Sequence, residues 1–360
     1  MSAKGPLVAP TGVLIIDKPS GPTSFDVVAQ VRRIYRTKSV GHAGTLDPLA
    51  TGVLVVMLGE ATKLSEYLTA QQKAYTAQIT FGRSTDTLDS LGSTLEERSL
   101  APDELSMARI QAAIQTELAR REQIPPAFSA IKLDGETAYK KARRGEALTL
   151  PPRPVSVERL TLEEFTGTTL TLSMTVSKGY YVRSLVRDLC EALGVPGCLT
   201  ALRRTASGAF TLDGAVSWPP PAGETPALST LVDAARCALA LATLTPDGVV
   251  RARQGKRLTT ADFRVTPTEP LALWVDDQDT PIALGERVLT EPDASFRVLR
   301  GFRAPPAPSD TTAPSDTTAP SDTTAPSDTT APSDTTAPSD TTAPSAAGHP
   351  TSIDLEVRDP

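Results

Sequence analysis

The stretch Gly41-His42-Ala43-Gly44-Thr45-Leu46-Asp47-Pro48-Leu49-Ala50-Thr51-Gly52-Val53-Leu54 constrains this chain more than any other. Three glycines and a proline within fourteen residues argue against a helix interior, where glycine is entropically costly and proline removes a backbone donor. The segment is therefore a shaped loop. The apolar run Val53-Leu54-Val55-Val56-Met57-Leu58 that follows reads as a buried strand that anchors it. Inside the loop, Asp47 stands between Leu46, Pro48 and Leu49. An acid fixed among apolar groups is held in place and partly shielded, which is what a catalytic carboxylate needs. Read alone, an Asp-Pro pair is more often a turn.

The rest of the chain alternates helical and strand signals. Gly12 to Ile16 is a short apolar strand, and Asp17-Lys18-Pro19 turns it. Thr23-Ser24-Phe25-Asp26 fits a capping signal, with Val27, Val31 and Ile34 behind it at helical spacing. Arg32, Arg33, Arg36 and Lys38 form a basic cluster before the loop. Tyr75, Ala77, Ile79 and Phe81 share one face of an alternating strand, so periodicity alone puts Tyr75 in the core. Residues 103–121 have helical spacing, and Pro125-Pro126 stiffens an extended approach to Lys132. Lys140, Lys141, Arg143 and Arg144 make the densest basic run, which suits phosphate contacts or an ordinary solvated face. Leu170, Leu172, Met174 and Val176 alternate with polar residues in a half-buried strand. The helix carrying Leu185, Val186, Leu189 and Leu193 stops at Gly194. Arg183 stands near its N-terminus, where the dipole disfavours a cation, so something negative should compensate.

Separated strings, in order over roughly residues 10–215, resemble the TruB family, the tRNA pseudouridine-55 synthases. Residues 41–52 are similar to its G-H-x-G-x-L-D-P-x-A-x-G signature, preceded by Lys18, Pro19, Gly21 and Ser24 of its opening motif. Tyr75 stands in its K-x-Y context, Gly82 to Asp89 fit G-x-x-T-D-T-x-D, and Gln123 to Lys132 fit Q-x-P-P-x-x-S-A-x-K. Lys178 to Ser184 fit K-G-x-Y-[IV]-R-[ST], and Leu202 to Phe210 fit L-R-R-x-x-x-G-x-[FY]. The resemblance implies that Asp47 is catalytic, that Arg183 pairs with it, and that Tyr75 stacks on the target uracil. It implies further that His42 packs against the flipped nucleotide, that Tyr181 lines the pocket and that Leu202 sits against the base. Lys18 and Lys132 are then expected as substrate contacts, and Asp89 as a secondary candidate. The implied reaction turns uridine 55 of the tRNA T-loop into pseudouridine, and the base must leave its stack to react. No redox step is involved, so no cofactor and no metal are expected.

The fold implied is α+β: a pseudouridine synthase fold with a mixed, largely antiparallel sheet and flanking helices, plus a small C-terminal PUA-like domain and a disordered tail. The expected limits are a catalytic domain at 1–217, a connector at 218–244, a small C-terminal RNA-binding domain at 245–303 and the tail at 304–360. Six copies of Ala-Pro-Ser-Asp-Thr-Thr from Ala307 to Thr342 hold no large apolar residue, so no core can form there. The tail also explains the charge. A net charge of −6 looks adverse for an RNA partner, but residues 307–360 hold nine acids and one base, which leaves the preceding residues at +2. No apolar run is long enough for a membrane span, and the start lacks an apolar core for a secretory signal. The three cysteines show no C-x-x-C spacing, which points away from zinc and disulfides and toward a reducing cytoplasm. The expected partner is the tRNA T-arm stem-loop, with no membrane, no obligate protein partner and a monomeric chain.

Overall fold

The apolar run at 53–58 is a strand, and the larger of two sheets is built around it. The computed structural model describes residues 10–303 except 102, 134 and 289–294. The expected disordered tail at 304–360 lies outside the described residues. The larger sheet comprises β1 (Gly12–Lys18), β2 (Val40–His42), β3 (Thr51–Leu58), β4 (Lys73–Phe81), β5 (Val157–Phe165), β6 (Thr169–Val176), β7 (Gly197–Ser207), β8 (Phe210–Thr211) and β9 (Val216–Ser217). Its order is β5-β6-β4-β7-β3-β1-β9, with β2 beside β3 and β8 beside β7. Only β7–β3 and β1–β9 pair in parallel, so the sheet is mixed and largely antiparallel, as expected.

Helices cover one face of this sheet: α1 (Ser24–Ile34), α3 (Met107–Leu118) and α5 (Val182–Leu193), with a short α2 (Ser65–Thr69) and α4 (Ala138–Arg143) elsewhere in the chain. Thr23 caps α1 in a reciprocal box with Asp26, and Gly194 ends α5 in the left-handed conformation at φ +67°. Val27, Val31, Ile110, Ile114, Leu185, Val186 and Leu189 pack on Ile16, Val56, Ile79 and Leu172. Val13, Ile15, Val53, Val55 and Met57 point the other way, into a second core. Because β1 and β3 are buried on both faces, their sequences read as unbroken apolar runs rather than alternations.

The second core is shared with the smaller sheet, whose strands are β10 (Ala240–Leu244), β11 (Leu258–Thr259), β12 (Phe263–Val265), β13 (Leu271–Val275), β14 (Pro281–Val288) and β15 (Ser295–Gly301), in the order β11-β15-β14-β13-β10-β12. Leu273, Val275 and Leu284 enter it from this sheet, and Leu231, Val232 and Ala235 from α6 (Leu231–Arg236). The span 218–244, expected as a connector, thus carries buried groups of its own. Trp218 is buried as well, and its Nε1 donates to Gln30 Oε1 at 2.6 Å. Among the described residues no helix is long and apolar enough to cross a membrane.

Candidate active site

The Asp47 loop is pinned from three sides. Gly44 and Gly52 take φ of +98° and +96°, which L side chains rarely adopt. A Cβ on Gly52 would stand 2.2 Å from the Arg204 carbonyl, so only glycine lets β3 run against β7 there. From α1, Ser24 Oγ donates to the Leu46 carbonyl at 3.1 Å and accepts from Leu46 N–H at 2.8 Å. From below, Lys18 Nζ donates to the carbonyls of Pro19 at 2.9 Å, Pro22 at 2.8 Å and Pro48 at 3.5 Å.

The negative group that Arg183 needs is Asp47. Arg183 Nε donates to Oδ2 at 2.8 Å and Nη2 to Oδ1 at 2.9 Å, a charge-assisted fork. Two further donors are used as well: Nη2 also reaches the Phe128 carbonyl at 2.8 Å, and Nη1 the Thr87 carbonyl at 3.2 Å. Arg183 is 5% exposed, whereas the Asp47 side chain keeps 33% of its surface open. The arginine is therefore sealed in place, and its carboxylate partner faces free space. The start of α5 is held by Gln123, which accepts from Tyr181 N–H at 2.8 Å and donates to the Tyr181 carbonyl at 3.1 Å. Next to it, Tyr180 donates its hydroxyl to buried Glu117 at 2.7 Å. Asp89 is a turn builder, its Oδ1 accepting from Thr87 Oγ1 at 2.8 Å and Leu91 N–H at 3.1 Å, and it thereby presents the Thr87 carbonyl to Arg183.

Asp47 opens on a cleft of about 500 Å³, which Tyr75, Tyr181, Arg183 and Leu202 also line. Strand register explains the grouping. Tyr75 continues the buried stripe of Ala77, Ile79 and Phe81, but the helical layer ends before it, so its ring is only half-buried. Leu202 and Arg204 on β7 lie opposite Ala77 and Tyr75 and so share that face. Phe128 and Tyr139 form another wall, edge to face with ring centroids 6.1 Å apart. A largely apolar cleft with one carboxylate, aromatic faces and basic side chains suits a flat ring held beside that carboxylate.

Residues 32–182 match the TruB family pseudouridylate synthase (N terminal domain). Over 263 residues the chain is 41% identical to the tRNA pseudouridine synthase B of Arthrobacter sp. (strain FB24), an alignment spanning 71% of this chain and 85% of that one. The chain belongs to the TruB family. It is thus a pseudouridine synthase. The tRNA pseudouridine synthase B of Corynebacterium diphtheriae is 46% identical over 217 residues, 58% of this chain and 72% of that one. In fold, the TruB chain is similar to one in the crystal structure of a Cbf5-Nop10-Gar1 complex, with a TM-score of 0.62, 24% identity, and coverage of 81% of this chain and 85% of that one.

Of the residues singled out in this TruB sequence, Asp47, Tyr75, Tyr181, Arg183 and Leu202 line one cleft, and the others lie apart from it. His42 ends β2, half-buried, with Nδ1 enclosed and without a partner among the described residues. Burial and then the Arg204 charge lower its pKa, which keeps the ring neutral. Lys18, expected as a substrate contact, is fully buried and spends its ammonium on carbonyls under the Asp47 loop. Lys132 is exposed on a short hairpin beyond the lining. In α4 and after it, Lys140 is exposed, Arg143 stands 5.0 Å over the Tyr139 ring, and Arg144 is forked onto Glu136 at 2.7 Å and also paired with Glu146. Lys141 follows Lys140 on the same short helix. Lys73 and Arg204, both buried cations, are among the lining residues that the sequence reading did not single out. Their signal was present, since Lys73 precedes Tyr75 by two and Arg204 follows Leu202 by two, the same-face spacing of strands.

Proposed function

We propose that this chain isomerises uridine 55 in the T-loop of tRNA to pseudouridine, with Asp47 as the catalytic carboxylate. The observation that carries the reading is the geometry of Asp47: forked onto a sealed arginine, yet open to a cleft faced by Tyr75, Tyr181 and Leu202. The names of the relatives support tRNA as the substrate class.

The N1–C1′ bond of the uridine breaks, the freed uracil turns, and a C5–C1′ bond forms. The proton lost from C5 is balanced by one gained at N1, so the product is an isomer. The base must leave its stack to enter the cleft. Arg183 holds and aims Asp47, so the carboxylate is ready to meet the electron-poor centre exposed when the glycosidic bond opens. Tyr75 and Leu202 hold the uracil between them, and Tyr181 closes the wall beside Arg183. His42 packs against the flipped strand from outside the cleft. Lys132, Lys140, Lys141 and Arg143 reach the RNA backbone from the hairpin and α4. The smaller sheet acts as the PUA-like RNA-binding part.

The test is pseudouridine formation on a tRNA T-arm stem-loop, with the target uridine replaced by cytidine as control. Isomerisation of the wild-type substrate alone upholds the reading. Binding without product would leave a TruB fold acting on another RNA or acting as a binder.

A further inference from the structure

Two cations in the cleft wall stand without an acid. Lys73 is 6% exposed and Arg204 1%, and they project from adjacent strands on the face that carries Tyr75 and Leu202. Lys73 Nζ donates to the carbonyls of Thr69 at 2.6 Å and Gln71 at 2.5 Å. Arg204 Nε donates to the Val53 carbonyl at 2.6 Å, and Nη2 to that of Gly44 at 3.1 Å. Among the described residues neither forms an ion pair, and nothing accepts from Arg204 Nη1 or from the third N–H of Lys73. Burial first, and then the charges of Arg204 and exposed Lys178, both cations, lower the Lys73 pKa to about 8. No side chain covers the pair at position 44, where a Cβ would lie 3.4 Å from Arg204 Nη1 and 3.8 Å from Lys73 Cε.

Buried charges are normally matched by an opposite charge, because carbonyl dipoles offset only part of the lost hydration. Asp47 is forked onto Arg183, and among the described residues it makes no hydrogen bond or ion pair with Lys73 or Arg204. The wall therefore carries positive charge in excess, beside the place assigned to the flipped nucleotide, and an anion is what it favours. RNA brings that anion on both sides of every nucleotide.

We propose that Lys73 and Arg204, with Lys178 at the mouth, form a subsite for one backbone phosphate flanking the flipped nucleotide. The proposal rests on the reading above that an RNA strand enters this cleft. Its role is to hold the strand once the base is out, by matching a phosphate charge that the stacked loop would leave in water.

The test uses full-length protein and T-arm stem-loops in which a neutral methylphosphonate replaces the phosphate on the 5′ or the 3′ side of the target uridine. Binding and pseudouridine formation are measured for wild type and Lys73→Met. One of the two replacements should weaken wild-type binding by about tenfold, the scale of a charge-assisted hydrogen bond. The same replacement should cost Lys73→Met no more than about twofold, because the contact is already gone. A variant that loses the same factor on charged and neutral RNA alike would show a merely structural lysine and overturn the proposal. If Lys73→Met does not fold, the wild type decides alone: no penalty at either phosphate overturns the subsite. Wild type that shows the phosphate penalty but forms no pseudouridine upholds the subsite and removes the catalytic reading. Turnover without a penalty does the reverse.

Discussion

Arg183 grips Asp47 with two hydrogen bonds, Nε to Oδ2 at 2.8 Å and Nη2 to Oδ1 at 2.9 Å, between residues 136 apart in the chain. The pair joins the loop before β3 to the start of α5. It also settles the polarity of the site, since the buried arginine is the fixed member and the carboxylate the exposed one.

Replacing Asp47 by Asn keeps the shape and removes the charge. Pseudouridine formation should fall by orders of magnitude, because an amide neither attacks nor stabilises a cationic centre. Stem-loop affinity should change little. Stability should drop by about 1–3 kcal/mol, because Arg183 loses its paired carboxylate while keeping two carbonyls. Single-turnover product formation, a binding titration and thermal melting read the three effects separately. Undiminished turnover would remove Asp47 from the mechanism.

Arg183→Lys keeps the positive charge but not the fork. A lysine cannot bridge both Asp47 oxygens and also reach the carbonyls of Thr87 and Phe128. The rate of the chemical step should fall at least about tenfold. A rate equal to wild type under single-turnover conditions would show that charge alone suffices.

Two glycines separate close approach from mere conformation. Gly52→Ala places a Cβ 2.2 Å from the Arg204 carbonyl at a φ of +96°, so both strands must move. It should cost about 3 kcal/mol or more and distort the cleft. Gly167→Ala has a similar φ of +85° with nothing within 4 Å, and should cost only about 1–2 kcal/mol. Denaturant melts of the two variants test the ranking, and equal losses would refute it.

The basic run after Tyr139 should not act as one block. Arg144 is held by Glu136 and Glu146, so its charge is already matched, whereas Lys140 is exposed and Arg143 lies over an aromatic ring. Neutralising Lys140 and Arg143 together should reduce the slope of log affinity against log salt by up to about one unit each. Arg144→Gln should reduce it less. The reverse order would mean that RNA displaces the two glutamates.

Lys18 offers a pH test. Burial, its largest influence, lowers its pKa from 10.5 to about 8 against the opposing pull of Asp47. Between those values the unfolded chain binds the extra proton, so this group makes stability rise with pH from about 8 to about 10.5. Lys18→Met lacks that contribution. The stability gap between wild type and variant should therefore widen in favour of wild type from pH 8 to pH 10. A constant gap in denaturant melts across that range would show that Lys18 titrates as an ordinary lysine.

Sequence by itself determined what depends on neighbours along the chain. The cap at Thr23, the stop at Gly194, the alternation along β6 and the bent loop around Asp47 follow from local backbone preference and side-chain period. Motif resemblance added Asp47, Tyr75, Tyr181, Arg183 and Leu202, and all of these line one cleft. Tertiary structure alone decided which charges are buried and what matches them. Lys18 and Lys132 look equally free on paper, yet one is sealed under three carbonyls and the other lies exposed. Arg144 finds its acids eight residues before it, across α4, and two after it, and Trp218 finds Gln30 188 residues away. Lys73 and Arg204 become a pair only because β4 and β7 lie side by side in one particular register. Desolvation and pairing depend on which groups the fold brings within a few ångströms of each other, and strand register sets that distance, which local sequence pattern does not encode.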